Sequence, residues 1–203
     1  MPQLVAPVIA AGSLGEVEQP RMSEADLLLR PWVPADAPWI VDAFRDPAIR
    51  HWHTRAVDSI GEAEELIERY SQRWRAESSA NWAIVAPDGE VLGRVALCAM
   101  SPESGEAEVG YWIRAATRGR GTASSAVRIL SSWSFGAGFH RLFLHHSTAN
   151  AASCGVARKA GFTFEGTKRS AGLHTDGWHD MHLHALVSPH PFAVGAVTAT
   201  VPG

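Results

Sequence analysis

Gly110-Tyr111-Trp112-Ile113, followed by Arg118-Gly119-Arg120-Gly121-Thr122-Ala123, is the stretch that decides how this chain folds. From Glu106 to Ile113, Ala107, Val109, Tyr111 and Ile113 alternate with Glu106, Glu108, Gly110 and Trp112, which predicts a strand. Glycines then permit a tight turn, and a helix-competent segment opens directly after it. Such a turn aims free N–H groups at one point and makes an anion cradle. Arg118, Gly121 and Ala123 complete an Arg-x-x-Gly-x-Ala spacing. No Gly-Lys-Ser/Thr follows, so a P-loop is excluded. The spacing is also not G-x-G-x-x-G, and no acidic residue lies suitably downstream, so a dinucleotide-binding crossover fits poorly.

On the upstream side, Leu27 to Trp32 reads as a first strand stopped by Pro31. Asp36 is placed to cap a short helix carrying Trp39, Ile40, Ala43 and Phe44, whose end is marked by Asp46-Pro47. Ser59 and Glu62 form a capping box ahead of a longer helix with Ala63, Leu66, Ile67, Tyr70 and Trp74 on its buried stripe. Asn81–Val85 and Val91–Ala99, joined by Asp88-Gly89, predict a hairpin. Downstream, Ala126, Val127, Leu130 and Trp133 mark a helix, and Arg141–His146 a strand. Asn150 opens a further helix, which ends at Lys159-Ala160-Gly161. Phe162–Glu165 and Trp178–Val187 read as the last strands, joined by a polar loop containing Gly172 and Asp176-Gly177. The expectation is one mixed α/β domain over residues 25–187, with about four helices, a flexible arm at 1–24 and a tail at 188–203.

The chain has 203 residues, enough for one sizeable core. A formal charge of −3 disfavours a general nucleic-acid binder, including an RNA-binding reading of Arg118–Gly121. With two cysteines, Cys98 and Cys154, there is neither a disulfide framework nor a zinc spacing, and a reducing, cytoplasmic setting is expected. The first twenty residues lack a positive n-region, so no signal peptide is read there, and no segment has the length of a membrane span.

This order of elements resembles the GNAT superfamily of N-acetyltransferases. The turn at Arg118–Ala123 resembles their pyrophosphate loop, and Asn150-Ala151-Ala152-Ser153 with Lys159-Ala160-Gly161-Phe162-Thr163-Phe164-Glu165-Gly166 is similar to the N-x-x-S…K-x-G-F-x-x-E-G signature of the RimJ/RimL-type ribosomal-protein N-terminal acetyltransferases. Glu108–Ile113 and Asp176–Asp180 resemble that branch's fourth strand and the start of its last. The resemblance implies a mostly antiparallel sheet splayed between the fourth strand, ending at Ile113, and the fifth, Arg141–His146. Pantetheine would lie in that gap, and the amides of Arg118, Gly119, Arg120, Gly121, Thr122 and Ala123 would hold the pyrophosphate, with the Arg118 and Arg120 guanidiniums nearby. Asn150 would bond a pantetheine amide or its own helix start.

It also implies acetyl transfer from acetyl-CoA to a primary amine, on a peptide N-terminus or a small molecule, by direct attack. A homodimer is the assembly suggested by analogy. The oxyanion would meet a backbone N–H near Trp112 or Ile113. Many family members protonate the leaving thiolate with a tyrosine on the helix before Gly161, where this chain has Val156 and Ala157. Ser153 is therefore the expected donor and Glu108 the expected base, with His174 and Asp176 as further choices for the base. Acceptors would be framed by His51, Trp52, Tyr70, Trp74 and His174. An acyl-cysteine on Cys154 is disfavoured for want of a His–acid partner pattern. His182 and His184 form a single i, i+2 pair, too weak a signal for zinc, so no metal is assigned. The alternative to an enzyme is an acyl-CoA-binding sensor of the same fold without proton transfer.

Overall fold

The computed structural model describes residues 4–189. Among them the chain forms β1 (Met22–Glu24), β2 (Leu27–Pro31), α1 (Ala37–Phe44), α2 (Pro47–His51), α3 (Ile60–Arg75), β3 (Ala80–Val85), β4 (Val91–Ser101), β5 (Glu106–Ile113), α4 (Thr122–Gly136), β6 (Arg141–Ser147), α5 (Ala151–Lys159), β7 (Thr163–His174) and β8 (Gly177–Val187). The strands build one eight-stranded sheet in the order β1-β2-β3-β4-β5-β6-β8-β7. Every neighbouring pair is antiparallel except β5 and β6, which run parallel. This is the mixed architecture expected from the sequence.

Each face of the sheet carries its own core. One buries Trp82, Leu97, Val109, Leu130, Leu142 and Phe162, and the other packs Ile40, Phe44 and Ile67 onto Trp32, Val85 and Trp112. β5 therefore contributes to both, with Val109 in the first core and Trp112 in the second. The Ser59–Glu62 box forms as expected: the Glu62 amide donates to Ser59 Oγ (3.3 Å) and the Ser59 amide to Glu62 Oε2 (3.2 Å).

Three local readings are corrected. Asp46-Pro47 begins a helix as well as ending one: Asp46 Oδ1 accepts from the Ala48 amide at 2.9 Å, and Pro47 at the first position of α2 has no N–H to lose. Asp36 does not cap α1 with its side chain. Its buried carboxylate instead takes both guanidinium nitrogens of Arg30 (2.6 and 2.8 Å) and the Val33 amide (3.0 Å). The polar loop expected before Trp178 is mostly strand, because β7 continues to His174 and leaves Thr175-Asp176 as the turn. β7 is an exposed edge strand, so it lacks the apolar alternation by which a strand is recognised.

The expected flexible arm is packed from Val8 onward, while residues 4–7 are exposed. Ile9 and Leu14 are buried in the core that holds Trp74 and Trp82. The amides of Gly12, Leu14 and Gly15 donate to the Glu77 carboxylate at 3.0, 2.8 and 3.0 Å. The indole N–H groups of Trp74 and Trp82 donate to the carbonyls of Val17 (2.9 Å) and Pro20 (2.8 Å). A segment of turns can be held by such bonds without any hydrophobic period, so composition misreads it. The expected tail lies outside the described residues from position 190 onward.

Candidate active site

β5 and β6 pair only at Glu106↔Arg141, Ala107↔Leu142 and Glu108↔Phe143. Beyond these pairs the two strands part. The Arg114 amide donates to Leu92 O of β4 at 2.9 Å. Backbone groups alternate sides along a strand, so the amides of Tyr111 and Ile113, beyond the last β5–β6 pair, face the fork while that of Trp112 faces β4. The oxyanion donor expected near Trp112 or Ile113 is thereby narrowed to the fork-facing set. The fork opens on a cavity of about 760 Å³ whose lining includes Trp52, Glu108, Tyr111, Gly121, His145 and Ser153.

At the far end stands the glycine turn. Gly119 (φ +80°) and Gly121 (φ +81°) both occupy the left-handed region that favours glycine. Gly121 is the N-cap of α4, so the amides of Thr122, Ala123 and Ser124 have no partner within the helix. The amides of Gly119, Arg120 and Gly121 donate to no other described residue. A cluster of free donors at the positive end of a helix suits a diphosphate, and the residues fit the cofactor that the resemblance implies. Arg118 lines the cavity and also has a structural duty. Its Nε donates to Ile113 O at 3.0 Å and its terminal nitrogen pairs with Asp46, so it braces the turn against α2. Arg120 is exposed beside the turn. Arg114 lies under Trp39 (4.4 Å to the ring centre) and pairs with Glu90 and Asp42 at 2.8 and 3.1 Å, which makes it a structural hub.

Glu108 sits at the last paired position of the fork, and its Oε1 lies 3.2 Å from His145 Nδ1 on β6. This dyad was half-seen in the sequence: Glu108 was singled out, but nothing there tied His145 to it. Asn150 Oδ1 accepts from the Ser153 amide at 3.0 Å, so Asn150 caps α5. The Ser153 side chain faces the hydroxyl of Tyr111. That hydroxyl is buried and makes no aligned hydrogen bond among the described residues. Burial pushes the Tyr111 phenol up to about 12, with Ser153 acting against the shift. Tyr111 was missed because its place in the β5 alternation marks it simply as a core residue.

Three of the five residues expected to frame the acceptor, His51, Trp52 and His174, gather in a histidine cluster. His51 packs edge-on against Trp52 (4.3 Å), Trp52 against His174 (5.2 Å), and His174 against His179 (4.8 Å). Ser147 Oγ lies 2.7 Å from His179 Nδ1, and His179 Nε2 lies 2.9 Å from Asp176 Oδ1. Burial, reinforced by the neighbouring His179 and His51, lowers the His174 pKa below its ordinary value. The other two expected acceptor residues lie elsewhere. Trp74 is buried in the core against Trp82 and Trp133. Tyr70 is buried under the Arg94 guanidinium (5.5 Å to the ring centre), and burial raises its pKa. Their helical spacing reports a core stripe only.

Comparison with known proteins follows from this geometry. Residues 26–163 match the family model described as the acetyltransferase (GNAT) domain. YdaF of Bacillus subtilis (strain 168), provisionally named a ribosomal N-acetyltransferase, is 26% identical over 155 residues, which are 75% of this chain and 74% of that one. The ribosomal-protein-serine acetyltransferase of Escherichia coli (strain K12) is 25% identical over 53% of this chain and 61% of its own. Among solved structures, the ribosomal alpha-N-protein acetyltransferase RimL in complex with coenzyme A superposes with a TM-score of 0.76 at 20% identity, covering 83% of this chain and 98% of that one. No helix among the described residues is long and apolar enough to cross a membrane.

Proposed function

The chain belongs to the GNAT acetyltransferase family, and from that premise we propose that it acetylates the α-amine of a peptide N-terminus. The observation that carries this reading is the fork itself. A parted pair of parallel strands, with free amides along one edge and an amide-rich turn at its end, opens on one cavity with Glu108–His145 at its base. Acetyl-CoA, when bound, supplies the acyl group as a thioester. The amides of the turn bind its diphosphate, and the fork-facing amides of Tyr111 and Ile113 bind pantetheine and the carbonyl oxygen on which negative charge develops.

Glu108, with His145 beside it, takes the proton that the acceptor ammonium must lose before its nitrogen can attack the carbonyl carbon. An α-amine titrates near ~8 and a lysine near ~10, so the former asks less of this base. Ser153 donates a hydrogen bond to the departing sulfur, and the Tyr111 hydroxyl beside it supplies the proton that the sulfur takes up. Trp52, His51 and His174 frame the incoming peptide, and relatives named for ribosomal-protein acetylation favour a peptide over a small amine. Pairing of two subunits remains an expectation by analogy.

The test is thiol release from acetyl-CoA with a panel of peptides differing at the first residue, followed by mass spectrometry of the products. One acetyl on the α-amine is expected, with kcat lowered about 10²- to 10⁴-fold by Glu108→Gln. Coenzyme A binding without turnover on any amine would make the protein a sensor instead.

A further inference from the structure

His146 on β6, His182 and His184 on β8, and Cys154 on α5 each offer one ligand atom, and all four atoms lie within 4.8 Å of one another. The cluster lies between α5 and the sheet, on the side of β6 away from His145. His146 and His184 are buried, at 5% and 1% exposure. His146 Nδ1 lies 2.8 Å from its acceptor, Ser147 O, which assigns the proton to Nδ1 and leaves Nε2 with its lone pair free. That Nε2, His182 Nδ1 and both nitrogens of His184 are buried and make no aligned hydrogen bond among the described residues, the nearest partner of His184 being the Phe162 backbone. Buried polar atoms are normally satisfied, and even with one His184 nitrogen turned to the Phe162 backbone, three ring nitrogens beside a free thiol are not explained by packing.

We propose that these four residues form a tetrahedral zinc site that clamps α5 onto β6 and β8. Three imidazoles and one thiolate suit a borderline-soft cation, and no carboxylate is present in the set to favour magnesium or calcium. Zinc bonds of about 2.0–2.3 Å place tetrahedral ligand atoms about 3.4 Å apart, so the observed spread closes on the metal by small side-chain rotations. The Ser147 carbonyl then acts as the outer partner that fixes the tautomer of His146. The metal takes no part in acetyl transfer. It sets the position of the helix that carries Ser153, and it withholds the Cys154 thiol from oxidation. The sequence showed only the His182–His184 pair; the other two ligands come from separate elements.

The test uses the full chain, dialysed against a chelator under reducing conditions and titrated with zinc, then with cobalt as a spectroscopic probe. One equivalent of zinc is expected, together with a tetrahedral cobalt spectrum containing a thiolate charge-transfer band. Cys154→Ala should abolish that band while leaving the circular dichroism of the metal-free protein unchanged. His184→Ala should weaken zinc binding by more than the about 10- to 100-fold that loss of an outer partner causes. His51→Ala, in the acceptor-side cluster, should leave the stoichiometry at one. No zinc bound to the unsubstituted chain, binding that survives Cys154→Ala and His184→Ala unchanged, or binding lost in His51→Ala would each overturn the site.

Discussion

Replacing Gly119 and Gly121 by alanine, singly and together, separates the two duties of the turn. Both residues sit near φ +80°, where an L-residue is strained by about 1–2 kcal/mol. A Cβ built at Gly119 meets nothing within 4 Å, and one at Gly121 meets only Ser124 Oγ at 4.0 Å, so no packing term adds to the strain. Each single variant should therefore lose about 1–2 kcal/mol of stability, or about 2–8 °C of melting midpoint for a chain of this size. Alanine relieves its strain by rotating the flanking peptides, which turns donors away from the diphosphate. A hydrogen bond to a charged group contributes about 1.5–3 kcal/mol, so coenzyme A affinity should fall about 10- to 100-fold for each donor turned. Differential scanning calorimetry reads the first effect and isothermal titration with coenzyme A the second. An affinity within about twofold of the unsubstituted chain, in a variant whose midpoint has dropped as expected, refutes the cradle while leaving the strain argument intact.

Two further predictions concern single side chains. Tyr111→Phe removes a buried hydroxyl that makes no aligned hydrogen bond among the described residues, so the melting midpoint should hold or rise, while kcat falls about tenfold or more if that hydroxyl serves the departing sulfur; unchanged kcat removes Tyr111 from the chemistry. Glu77 stands at φ +51° after α3, and although burial alone would raise its pKa, the amides of Gly15, Gly12 and Leu14 together lower it. A depressed carboxylate stabilises the fold above its unfolded pKa of about 4.3 and loses that contribution as pH falls through the folded value. Glu77→Ala should thus cost about 1–2 kcal/mol at neutral pH after solvent screening, and the difference between variant and parent should shrink under acid in equilibrium denaturation. Glu77→Gly should cost less, because glycine accepts the left-handed backbone; equal losses in the two variants would refute the strain half of that reasoning.

How much was legible depended on which signal each element carries. Capping chemistry located α3 through Ser59 and Glu62, and alternation located β5, because both are written in neighbouring residues. The fork was expected only through resemblance, since its amides are main-chain atoms that no periodicity reports. Trp74 and Tyr70 were misassigned to the acceptor side because a buried helical stripe and an aromatic binding wall look alike along the chain. His145 and Tyr111 escaped notice because their significance lies in partners 37 and 42 positions away: Glu108 for the first, Ser153 for the second. The packing of residues 8–20 was hidden for a similar reason, resting on bonds to Glu77, Trp74 and Trp82.

The parting of β5 from β6 also bears on how such chains diverge. A receptacle made of peptide groups asks only that each residue fit the pleat, so its side chains are free to drift so long as the backbone keeps its course. Ancestral pressure then registers on geometry, so likeness of fold can outlast likeness of sequence, as the TM-score of 0.76 at 20% identity to RimL illustrates. Letters record descent here more faintly than shape does.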